Sequence, residues 1–94
     1  MSAEPSIDPV VASLRDEITS LDVRIVATIN ARIAVVQELR RYKDENGIAF
    51  LDPDREAWLV EHLKRVNEGP LSDEGAAELA AFVLDLVKRE VARG

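Results

Sequence analysis

The chain contains no cysteine and a single histidine. Disulfides and thiolate metal sites are therefore excluded, and a histidine-based metal site or catalytic triad has too few members to be built. Aromatic residues are scarce, with one Trp, one Tyr and two Phe, so the core has to come from Leu, Ile, Val and Ala. No apolar run approaches the ~20 residues that cross a membrane as a helix. The opening "MSAEPSIDP" has neither the basic nor the apolar region of a signal peptide, and the cytoplasm is the expected compartment. Basic residues are in deficit too: 12 Lys and Arg stand against 18 Asp and Glu, a net charge of −6. A general nucleic-acid binder needs a basic face, so neither nucleic acid nor a membrane is an expected partner. A local basic pocket for a small anion is compatible with that balance.

What is present is helical patterning. A chain of 94 residues suggests one small domain, and 47% hydrophobic residues suit a folded chain rather than a disordered one. Residues 1–7 read as a short disordered leader and residues 8–94 as a single domain. Asp8-Pro9 is a helix start, with Asp at the N-cap and Pro at the first helical position. An apolar seam then runs in alternating steps of four and three through Leu14, Ile18, Leu21, Ile25, Thr28, Arg32, Val35 and Leu39. Neither Gly nor Pro interrupts it before Asn46-Gly47, which ends a helix in the usual way. The spacing predicts one helix of about 35 residues, roughly 50 Å long. Asp52-Pro53 repeats the start signal for a second helix over about residues 53–66, with Trp58, Leu59, Leu63 and Val66 facing inward. "NEGP" breaks that helix, and Ser72 caps a third running to about Ala92. The expected fold is all-α: one long helix plus two shorter ones. A domain of this size has a radius of gyration of roughly 12 Å, so the long helix overhangs it, and its seam needs cover. A homodimer with intertwined long helices is the economical solution.

Charge interrupts the seam at Arg32. A guanidinium on a buried stripe is costly unless paired; it either snorkels or bridges to a carboxylate of a second copy, or it faces a binding pocket. Lys43 lies about three turns further on nearly the same face, where a cation also suits the helix C-terminus. Asp52 is the N-cap of the second helix, and Arg55 and Glu56 are either first-turn surface charges or part of a site. Arg15 is either a solvated flank or a residue that antiparallel packing of two long helices carries toward the middle of the other copy. His62 has no Ser or Cys nearby and reads as a surface or half-buried structural residue. Arg40 and Arg41 read as surface charges. Together these residues suggest a cationic pocket with one or two carboxylates, suited to a small dianion and to electrostatic rather than covalent catalysis.

Two stretches carry a family resemblance. "LRDEITSLDVRIVATINARIAVVQELRRYK" and "ENGIAFLDPDRE" resemble the first helix and the loop–second-helix start of the all-helical class of chorismate mutases. The patterns are L-R-x-x-I-x-x-L-D and K-x(8)-D-x-x-R-E, and the likeness covers Leu14 to about Val91. The resemblance implies an intertwined three-helix homodimer with two shared active sites, and the Claisen rearrangement of chorismate to prephenate in phenylalanine and tyrosine biosynthesis, with no cofactor and no metal. It implies catalytic roles for Arg15, Arg32 and Lys43. Arg15 reaches across the dimer to one substrate carboxylate, Arg32 binds the other, and Lys43 donates to the breaking ether oxygen. It further implies that Asp52 and Glu56 position the substrate hydroxyl and that Arg55 orients the site.

One slot departs from the family pattern. A Gln, sometimes a Glu, usually stands late in the family's third helix as a second donor to the ether oxygen, and here Val91, Ala92 or Arg93 falls there, with Lys88 or Glu90 as the nearby groups able to approach the pocket. Related readings are a 4-amino-4-deoxychorismate mutase, an isochorismate–pyruvate lyase, whose loop lacks the intact "DPDRE", or a non-catalytic helical adaptor. Some short members of this class work with a shikimate-pathway enzyme as a partner, which the resemblance leaves open here.

Overall fold

The computed structural model describes residues 8–94; the leader expected over residues 1–7 lies outside them. Three helices and no strand are present among the described residues: α1 (Pro9–Glu45), α2 (Pro53–Val66) and α3 (Asp73–Arg93). The all-α expectation of one long and two shorter helices therefore holds.

Each helix begins where a side chain meets its first orphan amides. The Asp8 Oδ1 accepts from the Val10 and Val11 amides at 2.9 and 3.0 Å. The Asp52 Oδ1 accepts from Arg55 N at 3.0 Å, and the Ser72 hydroxyl accepts from Gly75 N at 2.9 Å. Pro9 and Pro53 follow the first two caps, where a missing N–H costs nothing. α1 ends because Gly47 takes a left-handed conformation, φ 65°, which lets the Ile48 amide reach back to the Lys43 carbonyl at 2.8 Å.

The chain divides into two compact units, residues 1–31 and 32–94. In the first, the described residues are the cap Asp8 and the part of α1 up to residue 31, and Leu14, Ile18, Leu21 and Ile25 are exposed. In the second, α2 and α3 pack on one another. The fully buried residues are Ala76, Ala80, Val87 and Val91, one stripe of α3 at helical spacing. Alanines there let the neighbouring helix approach closely, while Leu59, Val60 and Leu63 of α2 are half-buried.

Two inward assignments on α2 are corrected. Trp58 is 46% exposed and Val66 is exposed. Trp58 lies flat on His62, ring centroids 4.5 Å apart, with the Arg55 guanidinium 4.5 Å from its ring. The indole thus covers its faces with residues one turn away on its own helix rather than with the core. His62 is half-buried, and its Nδ1 accepts from Arg65 at 3.3 Å.

Candidate active site

A cleft of about 320 Å³ opens in the second unit. The C-terminal part of α1 supplies Arg32, Val35, Val36, Leu39 and Lys43, positions that share one helix face. The connection to α2 supplies Phe50 and Leu51, and the start of α2 supplies Asp52, Arg55 and Glu56. α3 closes it with Leu84, Val87 and Lys88. Five of the six sequence-predicted residues are brought together here. Arg15 is not among the lining residues; it belongs to the first unit.

The charges are unevenly distributed. Arg32, Lys43, Arg55 and Lys88 face Asp52 and Glu56, a local cationic excess in a chain of net charge −6. An apolar floor of Val35, Val36, Leu39, Leu84 and Val87 lowers the local dielectric and strengthens those charges.

Lys43, Asp52, Arg55, Glu56 and Lys88 are tied down locally. The Lys43 ammonium donates to the Phe50 carbonyl at 3.3 Å and lies 6.0 Å from the Phe50 ring, so the connection that follows α1 folds back over its own last turn. Asp52 uses Oδ1 as the helix cap. Arg55 rests on Trp58, a stacking that suits a planar guanidinium. Glu56 meets Lys88 across the helix pair: Nζ donates to Oε1 at 3.2 Å and lies 3.0 Å from Oε2.

Of the two nearby groups expected to approach the pocket at the late-α3 slot, Lys88 lines the cleft and Glu90 does not. Val91 is 2% exposed, a core residue. Arg93 pairs with Glu90 at 3.4 Å, and neither lines the cleft. Lys88 is the residue of this segment that enters it, one turn beyond Leu84 on the same face. The Leu84–Lys88 spacing was the available signal, but the register of α3 could not be counted through the 67–72 connection. Arg40 is a second correction. It is half-buried rather than a plain surface charge, donates to the Val91 carbonyl at 3.4 Å and lies 5.5 Å from the Phe50 ring. Arg41 remains exposed.

A larger depression of about 490 Å³ is bounded by Gln37, Arg40, Arg41, Asp44 and the end of α3. Its Arg40 is already committed to α3, and Val91 and Ala92 are the apolar residues on its walls. The smaller cleft joins charge to an extended apolar floor and is the better candidate for chemistry.

Fold and cleft together define a class: a small three-helix protein that gathers cations around an apolar floor. Comparison with known proteins narrows the class to a family. Residues 14–91 match the family described as chorismate mutase type II, and the chain belongs to it. The bifunctional chorismate mutase/prephenate dehydratase of Stutzerimonas stutzeri is 39% identical over 72 residues, covering 71% of this chain and 20% of that protein. The protein of the same description from Pseudomonas aeruginosa is 35% identical over the same length and the same shares. The chain thus spans about a fifth of the length of these curated relatives. Two solved forms of chorismate mutase from Thermus thermophilus are each 28% identical. Form I superposes with TM-score 0.79 over 82% of this chain and 96% of that one. Form II does so with TM-score 0.82 over 88% and 94%.

Proposed function

We propose that this chain is a chorismate mutase, an isomerase that rearranges chorismate to prephenate in phenylalanine and tyrosine biosynthesis, with residues 8–94 acting as one domain. The observation that carries the reading is the cleft in which Arg32, Lys43, Asp52, Arg55 and Glu56 converge in a chain of the chorismate mutase type II family. The relatives whose names pair the mutase with a prephenate dehydratase support the same place in metabolism.

The rearrangement is unimolecular and needs no nucleophile, proton transfer, metal or cofactor. The protein has to hold the enolpyruvyl arm over the ring and meet the charge that grows on the ether oxygen. Arg32 clamps one carboxylate bidentately, and Arg15 from a second copy clamps the other, which favours the reactive folded shape. Lys43, held over the apolar floor, donates to the ether oxygen as charge develops. Asp52 and Glu56 accept from the ring hydroxyl, and Arg55 orients the rim. The site is therefore shared within a homodimer in the cytoplasm. The exposed seam of Leu14, Ile18, Leu21 and Ile25 supports this, because an uncovered apolar stripe of that length is unfavourable in water.

Following chorismate by its ultraviolet absorbance, with purified protein alone and with cell extract, tests the reading. Catalysed loss of chorismate with appearance of prephenate is expected. The two arms matter because Val91, Ala92 and Arg93 offer no amide donor at the late-α3 slot, a departure that fits activity raised by another shikimate-pathway enzyme. No catalysed loss in either arm would overturn the assignment.

A further inference from the structure

The charged pairs of α3 differ in where they reach. Arg89 pairs with Asp85 and Arg93 with Glu90, both within the helix. Lys88 instead crosses to α2 and contacts both oxygens of the Glu56 carboxylate. Their side chains are 37% and 32% exposed, so the pair is half out of water. It is also a partition. Glu56, Leu84 and Lys88 line the cleft on one side and a second depression, of about 360 Å³, on the other.

We infer that Lys88 is a specificity-determining residue, which makes this pocket accept a hydroxyl and refuse an amine on the substrate ring. The inference rests on the proposed mutase reading, in which the ring substituent lies against Glu56. A free carboxylate accepts equally from a hydroxyl and from an ammonium, and the ammonium adds a charge attraction. Glu56 is not free. With Lys88 on both of its oxygens, its charge is already neutralised and a fixed positive charge stands at the partition. A neutral hydroxyl donates to the remaining lone pairs without penalty. An aliphatic amine is protonated at neutral pH and meets a like charge in a partly desolvated place, the repulsive element through which discrimination is usually built. Lys88 shares this wall of the cleft with Leu84 and Val87, and its withdrawal would take from the half-buried Glu56 its ion-pair partner.

The test compares chorismate with 4-amino-4-deoxychorismate, the analogue with an amine for the ring hydroxyl, on wild type, Lys88→Met and Lys88→Arg. Wild type is expected to favour chorismate in kcat/KM. Lys88→Met should shrink that preference by about tenfold or more, chiefly through KM. Lys88→Arg keeps the charge and should keep the preference. A merely structural role would lower both substrates together and leave the ratio intact. Should the Met variant fail to fold by circular dichroism, Lys88→Gln replaces it with the same expectation. An active protein whose preference is unchanged in the neutral variants, or whose wild type favours the amine, overturns the Lys88 assignment alone. A wild type that consumes neither compound overturns the mutase reading and this inference with it.

Discussion

At the scale of single residues, the site makes side chains serve two ends at once. Asp52 caps α2 through Oδ1 and lines the cleft. The two tasks separate by substitution. Asn caps about as well as Asp, whereas Ala forfeits roughly 1 kcal/mol. Asp52→Asn is therefore expected to keep the wild-type Tm while lowering kcat/KM for chorismate, and Asp52→Ala to lower both. Equal melting temperatures for the two variants would remove the capping role. Lys43 is the proposed electrostatic donor. Removing one such donor costs about 3–4 kcal/mol of transition-state stabilisation, so Lys43→Ala should lower kcat by roughly a hundredfold or more. Near-wild-type turnover of that variant would show that the charge on the ether oxygen is met elsewhere.

At the scale of elements, caps and connections place these residues. Gly47 is the clearest case. Its φ of 65° is the left-handed region that a Cβ disfavours, and a Cβ built there meets nothing within 4 Å. Strain alone is therefore at stake, and Gly47→Ala should cost about 1–2 kcal/mol, read as a lower urea midpoint at unchanged m. An unaltered midpoint would mean that the end of α1 contributes nothing to stability. α2 carries its own reporter. Trp58 is the single tryptophan and the Arg55 guanidinium lies on its ring. Chorismate binding that draws on Arg55 should change the Trp58 emission, and Arg55→Ala should abolish that change. Emission that stays constant at saturating chorismate would place Arg55 outside the binding event.

At the scale of the whole molecule, burial within one copy is thin. Among the described residues the fully buried side chains are four small or medium residues of α3, while α1 has none. Such a core supports the proposal that a second copy completes it. Arg15 and Arg32 provide the sharpest test, since the proposed site takes them from different copies. Arg15→Ala and Arg32→Ala should each be nearly inactive, and mixing them under exchange should restore about a quarter of wild-type activity, because half the random dimers carry one intact site of two. No recovery on mixing, with dimers confirmed by ultracentrifugation, would exclude a shared site.

Much of this was readable from residue order. Asp8, Asp52 and Ser72 announced the three helices, because a cap is a local event between a side chain and amides two or three residues away. Arg32 and Lys43 stood out as a pocket or a structural pair, because charge on an apolar stripe is unfavourable without a partner and helical spacing places both on nearly one face. The family resemblance added Arg15, Asp52, Arg55 and Glu56 to that set, with Arg15 assigned to a second copy. The tertiary structure decided the rest. Trp58 turned out to cover itself with Arg55 and His62 on its own helix. Arg40 was committed to the Val91 carbonyl. Lys88, rather than Glu90 or Arg93, entered the cleft against Glu56. The Arg40 and Lys88 outcomes depend on how α3 seats its Ala76, Ala80, Val87 and Val91 stripe once the 67–72 connection has turned the chain. That register is set by packing between distant residues, and spacing along one helix carries no information about it.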